Sequence, residues 1–333
     1  MAGKRRSSGR AVKERTFHDW ISKNLPAGRG GLLPIGDDAA ALRPPSHHVA
    51  VISTDTLVEG WHFLPRSPPE RVGAAAAGVS LSDVAAKGAT PDAILLALVL
   101  PIGTSARWAQ SVIRGAERLG ASFGAHVVGG DTKPGPVRAV VSTVLGWGDP
   151  AHLAPRTGAR AGDVLAVTGE VGRGGLAAAR LERKGRRSVP ALVEMLDVRP
   201  RVREGIALAP FAHALIDTSD GVADSAHLIA RSSGVRLVVE EARLPLAPGI
   251  RTLARTSTAR RAIAFFGGDY ELFAAIPARA WTPAEAAVRR AGGRLTRIGR
   301  AERGSGAWLE IAGGRVAMPR AGWQPFEAAG TRS

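Results

Sequence analysis

The chain contains no cysteine in its 333 residues. This absence excludes disulfides, cysteine-ligated zinc, iron–sulfur clusters and thiol nucleophiles. Long apolar runs are also missing, because the longest nearly unbroken one, residues 93–102, is half of the roughly 20 residues that cross a bilayer. The basic N-terminus continues into FHDW at 17–20, where a secretory signal would need an apolar stretch. We therefore expect a soluble, cytoplasmic protein with no membrane partner.

Aromatic residues and lysine are scarce as well. The chain has one tyrosine, and only six of its 45 basic residues are lysines. The basic residues exceed the 29 acidic ones by 16, and a net charge of +16 raises the question of nucleic-acid binding. The arginines are scattered, however, and clustering is confined to a basic tail at residues 1–15, which we expect to be disordered. Because few aromatic rings are available for base stacking, the composition disfavours nucleic acid as the main partner.

The first half of the chain alternates predicted strands and helices, which indicates an α/β (α+β) protein. The apolar patterns predict strands at 48–52, 93–100, 126–128 and 139–145, and helices at 68–87 and 107–119. The chain length favours two domains. A polar stretch with proline and glycine at 146–162 marks the linker. We assign residues 16–150 to an N-terminal domain and 151–333 to a C-terminal domain.

The second half repeats this alternation. It contains predicted strands at 164–167, 214–216, 236–239, 262–266 and 272–276, helices at 174–184 and 222–231, and a late hairpin over 308–317.

Aspartates recur in turns that follow apolar strands, next to glycine, serine or threonine. They stand at positions 37, 38, 55, 131, 217 and 220, and Asp83 lies in a predicted helix. Any one of them is explained as a cap, because a carboxylate accepts hydrogen bonds from orphan backbone N–H groups. A set that shares one context points to a common site, where carboxylates repel one another unless a cation lies between them. Oxygen ligands of this kind suit Mg²⁺, which can bridge acidic side chains and polyphosphate.

Other phosphate-binding motifs fit less well. The sequence has no P-loop and no protein-kinase catalytic loop. GRGGLA at 172–177 follows a strand and opens a helix, as a dinucleotide fingerprint does, but no strand-ending acid follows about 20 residues later. Close packing of the helix on the strand is the other interpretation of these glycines.

Seven segments carry the strongest signal, and their order matters as much as their content. They are IGDDAA at 35–40, STDTLVEGWHF at 53–63, SDVAAKGA at 82–89, GGDT at 129–132, RTGA at 156–159, DTSDG at 217–221 and DYEL at 269–272. Taken in this order, they resemble the thiamine-monophosphate kinase family of the aminoimidazole-ribonucleotide-synthetase-like superfamily. The resemblance extends over residues 17–323, nearly the whole chain.

This resemblance implies a two-domain synthetase-like fold, with an N-terminal sheet that dimerises and a C-terminal α/β sandwich domain that completes the active site. It implies an enzyme that moves the γ-phosphoryl group of ATP directly to thiamine monophosphate, giving thiamine diphosphate and ADP. The resemblance thus implies that ATP is a co-substrate, that Mg²⁺ is a cofactor and that the protein forms a homodimer. No covalent nucleophile is expected, because in-line transfer between phosphates needs positioning and charge neutralisation.

The resemblance also implies roles for individual residues. Positions that match the family's magnesium-binding residues are Asp38, Ser53, Thr54, Asp55, Asp83, Asp131, Asp217 and Asp220. Positions that match its ATP-binding residues are Gly130, Asp131, Arg156 and Ser219. Positions that match its substrate-binding residues are His62, Gly268 and Trp323.

The chain departs from the family pattern at several positions. Ser80 stands where the family usually has asparagine, and Lys133 where it has threonine. The family reads Gly-Gly-Glu-Asp-Tyr-Glu-Leu, whereas here Gly267 and Gly268 run directly into Asp269, so a substrate-contacting glutamate is missing. Two alternatives therefore stay open: the same fold and ATP chemistry with a different acceptor, and a non-catalytic relative that binds nucleotide or nucleic acid.

Overall fold

The computed structural model describes Trp20, Asn24 and residues 44–185 and 187–321. Two predicted site residues, Asp38 and Trp323, lie outside the described residues, as does the predicted basic tail at 1–15. The described part of the chain contains a four-stranded sheet followed by a seven-stranded sheet.

The four-stranded sheet comes from the N-terminal half. Its elements are β1 Val49–Val58, α1 Pro69–Ala85, β2 Thr90–Leu100, α2 Ala106–Ala121, β3 His126–Pro134 and β4 Ala139–Gly148. The strand order is β1-β4-β2-β3, in which β2 and β3 are parallel and the other neighbours are antiparallel. Both helices pack with the sheet in one apolar core, which places the last turn of α1 beside the second domain.

Close contact between α1 and α2 depends on glycine. A Cβ atom at Gly73 would lie 1.8 Å from the carbonyl oxygen of Val112, and a Cβ atom at Gly115 would lie 1.9 Å from that of Glu70. A side chain at either position would push the two backbones apart. The alanines and glycines of α1 therefore bring it into direct contact with α2, and this contact fixes its position on the sheet.

The seven-stranded sheet forms the second domain. Its elements are β5 Asp163–Thr168, α3 Arg173–Lys184, α4 Val189–Met195, α5 Val202–Leu208, β6 Ala214–Asp217, α6 Val222–Ser233, β7 Arg236–Glu240, α7 Ile250–Leu253, α8 Ser257–Ala264, β8 Leu272–Pro277, α9 Trp281–Arg290, β9 Leu295–Glu302, β10 Gly306–Ile311 and β11 Gly314–Ala317. The strand order is β11-β10-β7-β9-β5-β8-β6.

Helices cover both faces of this sheet. Leu165 and Val167 of β5 belong to the apolar cluster that includes α6, whereas Ala166 faces the cluster that includes α9. All six residues of β5 are therefore buried. This arrangement explains the continuous apolar strand in the sequence and confirms the predicted α/β class.

The structure confirms most of the predicted elements but corrects two strand ends. β1 continues past residue 52 to Val58, and β3 continues past residue 128 to Pro134. Asp55 and Asp131 therefore lie inside strands rather than in turns after them. Each strand continues because a neighbour supplies backbone partners whatever the polarity of the side chains: Asp55 lies opposite Ser142, and Asp131 opposite Ala97.

Residues 262–266 do not form the predicted strand, because Ala262 to Ala264 end helix α8. The helix begins after Thr256, whose Oγ1 atom accepts a hydrogen bond from the Ala259 N–H at 3.2 Å. Helices α4, α5, α7, α8 and α9 and strand β9 were not predicted. None of the helices in residues 44–185 and 187–321 is both long enough and apolar enough to cross a membrane. The cytoplasmic location stays a prediction.

Candidate active site

Four carboxylates face a common space between the two domains. Asp55 comes from β1 and Asp83 from the last turn of α1, while Asp217 ends β6 and Asp220 stands in the turn before α6. All four line one cavity, and three of them also line a second cavity. We call Asp55, Asp83, Asp217 and Asp220 the carboxylate cluster.

Two serines hold carboxylates of this cluster in place. Ser53 Oγ donates to Asp83 Oδ2 at 2.5 Å, and Ser82 Oγ donates to Asp217 Oδ2 at 2.7 Å. Ser53 and Asp55 are two residues apart in β1, so their side chains point to the same face of the sheet, toward α1. The hydrogen bond from Ser82 to Asp217 runs from the first domain to the second and ties them together inside the site.

Burial and repulsion between carboxylates raise the pKa values of Asp55, Asp217 and Asp220. Burial, followed by the charge of Asp83, raises the pKa of Asp55 to about 7. The same two causes raise the pKa of Asp217 to about 7. Burial also raises the pKa of Asp220, with neighbouring carboxylates acting in the same direction. Asp55 and Asp217 therefore hold protons near neutral pH unless a cation replaces them.

Two cationic side chains lie beside the cluster. Lys87 follows α1, and its Nζ atom donates to the carbonyl oxygens of Ala154 and Leu215, both at 3.1 Å. Burial and the nearby Arg156 lower the pKa of Lys87 to about 8. Both side chains line the second cavity, which therefore presents positive charge next to carboxylates.

The two cavities differ in their chemistry. The first, of about 280 Å³, is lined by apolar side chains such as Leu57, Val79 and Leu196, together with His62. The second, of about 380 Å³, holds Lys87 and Arg156. We call them the apolar cavity and the cationic cavity. The carboxylate cluster lies where they meet.

Most of the described residues that the sequence singled out come together here. The apolar cavity is lined by Asp55, His62, Asp83, Asp217, Ser219, Asp220 and Gly268, and the cationic cavity by Ser53, Asp83, Arg156, Asp217, Ser219 and Asp220. Three other predicted site residues that the structure describes line neither cavity, namely Thr54, Gly130 and Asp131.

The position of these three residues follows from the sheet. Thr54 points to the face opposite Ser53, where its Oγ1 atom lies 2.9 Å from Thr143 Oγ1. β3 is separated from β1 by β4 and β2, which amounts to three strand spacings of about 4.8 Å each. Asp131 in β3 accepts hydrogen bonds from its neighbours, the Thr132 N–H and Lys133 Nζ, both at 2.8 Å. Within one chain, Asp131 thus does not join the carboxylate cluster.

No three Asp, Glu or His side chains within residues 44–185 and 187–321 are close enough together to hold a metal ion by themselves. The donor set nevertheless suits Mg²⁺, because this ion usually takes one or two carboxylates and fills its remaining positions with phosphate oxygens and water. Ser53 with Asp83, and Ser82 with Asp217, are oxygen pairs of that kind. The site therefore fits Mg²⁺ that arrives with a phosphate ligand.

The glycine-rich turn at 172–175 packs against the loop that carries Gly268. Asp269, which is fully buried, accepts hydrogen bonds from the N–H groups of Gly172 at 2.7 Å and Gly174 at 2.9 Å. A Cβ atom at Gly174 would lie 2.2 Å from the carbonyl oxygen of Gly267. These contacts support the packing interpretation of the glycines over the dinucleotide interpretation.

Sequence reasoning gave no role to Lys87, Asp269 or Tyr270, although all three contribute to the site or to its support. The sequence could have indicated all three, because Lys87 lies in the SDVAAKGA segment and Asp269 and Tyr270 lie in the DYEL segment. Their partners are far away in sequence, so the motifs alone did not show what these residues contact.

Two family models match the chain. They are described as AIR synthase related protein, N-terminal domain, at residues 36–148, and AIR synthase related protein, C-terminal domain, at residues 160–310. The matches fall on the four-stranded and seven-stranded sheets respectively.

Individual proteins give a narrower result. A thiamine-monophosphate kinase from Caulobacter vibrioides is 35% identical over 320 residues, which cover 92% of this chain and 90% of that protein. A crystal structure of thiamine-monophosphate kinase from Stenotrophomonas maltophilia K279a has a TM-score of 0.78 at 30% identity, covering 90% of this chain and 97% of that one. A structure described as AaThiL complexed with AMPPCP and TMP has a TM-score of 0.72 at 27% identity, covering 94% and 97%.

Proposed function

This chain belongs to the thiamine-monophosphate kinase family of AIR synthase related proteins, and we propose on that premise that it transfers the γ-phosphoryl group of ATP to thiamine monophosphate. The products are thiamine diphosphate and ADP. One observation carries the proposal: the carboxylate cluster lies where a cationic cavity meets an apolar one. A phosphoryl group that passes between ligands in these two cavities must pass this cluster.

The cationic cavity is the proposed nucleotide site. Arg156 offers a planar guanidinium that can bind phosphate with two parallel hydrogen bonds, and Lys87 adds a second positive charge. Ser219 adds a hydroxyl at the junction, and the apolar side chains of Val51 and Leu228 can contact the base. Gly130 and Asp131 remain proposed ATP-binding positions, although they lie outside this cavity in a single chain.

The apolar cavity is the proposed site of thiamine monophosphate. His62 Nδ1 accepts a hydrogen bond from the Val58 N–H at 3.1 Å, so in the neutral ring Nε2 carries the proton and can donate. Burial lowers the pKa of His62, which keeps the ring neutral at pH 7. A neutral donor suits a ligand whose thiazolium ring is itself positive. Gly268 and Trp323 are the other proposed contacts, the latter outside the described residues.

We assign Mg²⁺ binding to the carboxylate cluster with Ser53, and keep Thr54, Asp131 and Asp38 as proposed ligands. Mg²⁺ would neutralise charge on the β- and γ-phosphates. The protein's own task is positioning: Ser53 and Ser82 orient the carboxylates, and Arg156 fixes the nucleotide. No covalent nucleophile is required, because the acceptor phosphate attacks directly.

A coupled assay tests the proposal. The protein is incubated with MgATP, with and without thiamine monophosphate, and both ADP and thiamine diphosphate are measured. We expect the two products in equal amounts and only in the presence of the acceptor. ADP formation with another phosphorylated acceptor, but not with thiamine monophosphate, would support the changed-acceptor alternative. No turnover with any acceptor would defeat the kinase proposal.

The raised pKa values predict how Mg²⁺ and pH together set stability. Asp55 and Asp217 have folded pKa values of about 7, against an ordinary value of 3.8. The protonated form therefore stabilises the fold below pH 4, and this contribution is lost as the pH rises through 7. The metal-free protein should have a lower Tm at pH 8 than at pH 5.5.

Mg²⁺ should reverse much of this loss, because the ionised carboxylates that destabilise the fold are the ones that bind the cation. Differential scanning fluorimetry with and without excess MgCl₂ measures the shift at both pH values. We expect a larger Mg²⁺-induced rise in Tm at pH 8. An equal rise at both pH values would speak against metal binding at the cluster.

We also propose a homodimer built through the four-stranded sheet. The face of this sheet away from α1 and α2 carries apolar side chains that the single chain leaves open, including Ile52, which is 65% exposed, and Leu95, which is 42% exposed. Val141 in the neighbouring strand continues this face, opposite Ala97. Asp131 lies on the other side of Ala97. In a dimer that covers this face, Asp131 would lie next to the second chain.

Leu95→Asp is expected to convert this dimer to monomer, because it places a charge in the middle of the covered face. Light scattering after size-exclusion chromatography gives the mass directly. Ile102→Asp is the matched control: Ile102 is 95% exposed but lies in a loop after β2, so its variant should stay dimeric. A wild-type monomer, or a dimer that survives Leu95→Asp, would contradict the proposal.

A further inference from the structure

Tyr270 has an unusual backbone conformation at the edge of the site. Its φ angle is +53°, and among the described residues only one other non-glycine residue, His47, has a positive φ. This left-handed region is costly for a bulky side chain, and such strain persists only where the surroundings enforce it. Tyr270 is also the only tyrosine in the chain.

Buried carboxylates on both sides hold Tyr270 in this conformation. The preceding residue, Asp269, accepts hydrogen bonds from the glycine-rich turn at 172–175. The following residue, Glu271, accepts from Arg201 Nε at 2.7 Å, from Arg201 Nη2 at 2.6 Å and from Thr168 Oγ1 at 2.7 Å. With both neighbours anchored, the backbone cannot relax without breaking buried ionic hydrogen bonds.

The enforced conformation directs the ring out of its own domain. Tyr270 belongs to the second domain, yet its ring packs against the apolar core of the first and lines the apolar cavity. Its hydroxyl makes no hydrogen bond with the residues that the structure describes.

The surroundings of this hydroxyl indicate what it donates to. Ionised carboxylates only accept hydrogen bonds, so the cluster offers no donor to an acceptor phosphate in the apolar cavity, whereas the O–H group of a tyrosine can donate to a phosphate oxygen. His62, another donor on this cavity, comes from the opposite domain. Tyr270 supplies a donor from the second domain, beside the cluster.

We propose that Tyr270 is a substrate-contacting residue whose hydroxyl donates a hydrogen bond to the phosphate of thiamine monophosphate, with its ring forming part of the cavity wall. This inference rests on the proposed kinase function and adds a specific contact to it. It also explains the strained backbone, since a relaxed φ would turn the ring away from the first domain.

Tyr270→Phe tests the contact, because it removes the hydroxyl and keeps the ring. We expect kcat/KM for thiamine monophosphate to fall by about 10- to 100-fold, the range for a hydrogen bond to a charged group. KM for ATP should stay within about two-fold, and Tm should not fall, because the hydroxyl has no partner within the described fold. An unchanged kcat/KM for thiamine monophosphate, or a KM for ATP that rises as much as the KM for thiamine monophosphate, would overturn the inference.

A spectroscopic measurement gives an independent result. Because the chain has one tyrosine, protein labelled with 3-fluorotyrosine should give a single ¹⁹F resonance. We expect this resonance to shift on addition of thiamine monophosphate and to shift less with thiamine, which lacks the phosphate. An identical response to both compounds would contradict a phosphate contact. Wild-type turnover is measured separately, so that failure of the kinase proposal and failure of the Tyr270 contact are distinguished.

Discussion

Asp217→Asn is expected to slow phosphoryl transfer at least about 100-fold while the protein keeps its fold. Asparagine retains an oxygen that can accept the hydrogen bond from Ser82 Oγ, so the contact between the domains is preserved. It removes one negative charge from the carboxylate cluster, which weakens Mg²⁺ binding and leaves phosphate charge uncompensated during transfer.

The same substitution should raise stability in the absence of metal. Burial raises the pKa of Asp217 to about 7, so the ionised group is unfavourable in the folded protein at pH 8. A neutral side chain avoids this penalty. We therefore expect Asp217→Asn to have a higher Tm than wild type at pH 8 without Mg²⁺, and a smaller rise when Mg²⁺ is added. Lower activity with higher stability distinguishes a functional role from simple misfolding.

Asp163→Asn is the control for this experiment. Asp163 is also buried, at 3% exposure, and it accepts hydrogen bonds from the Arg160 N–H at 2.8 Å and from His213 Nδ1 at 3.0 Å. It lines neither cavity of the site. Its variant is expected to lose some stability and to retain activity within about three-fold. Near-normal turnover by Asp217→Asn, or equal losses in the two variants, would contradict the assignment.

Arg201→Leu is expected to lower the free energy of unfolding by about 3–5 kcal/mol. Arg201 makes two hydrogen bonds to Glu271, a residue with 0% exposure. Leucine would leave the Glu271 carboxylate buried without its cation, and the hydrogen bond from Thr168 Oγ1 cannot replace that charge. Urea denaturation followed by circular dichroism measures the loss.

An exposed ion pair provides the comparison. Arg118 Nη1 lies 3.2 Å from Glu70 Oε2, with the two side chains 72% and 44% exposed. Arg118→Leu should change the free energy of unfolding by less than about 1 kcal/mol, because water screens this pair. Similar decreases in the free energy of unfolding for the two leucine variants would show that the effect of Arg201 does not depend on the burial of Glu271.

The sequence identified the parts of the site that lie in short, local patterns. Asp83 could be placed on a helix because it follows an alanine-rich segment, and Asp217 at a strand end because ALID precedes a glycine-containing turn. Arg156 and Ser219 were found only through the family resemblance, and the structure brings both to the cationic cavity. The predicted helix at 68–87 and the late hairpin were correct for the same local reasons.

Other features depended on strand pairing, which no local pattern shows. The polar residues STDT at 53–56 look like a turn, yet β4 pairs with every residue of β1 and keeps the strand extended. Whether Asp131 could reach Asp55 depends on the sheet order, which places β4 and β2 between their strands. The conformation of Tyr270 depends on Arg201, Thr168 and Gly172. These residues are too far from Tyr270 in the sequence to belong to the same motif.

The hydrogen bond from Ser82 to Asp217 has a consequence for how this protein can change over time. Each domain contributes residues to the active site. One domain can therefore be exchanged for a related domain only if the surfaces in contact between the two domains match. Substitutions that move one half by a fraction of an ångström must be compensated in the other. The two halves therefore depend on each other for activity, and we expect fragments that are expressed separately to be inactive.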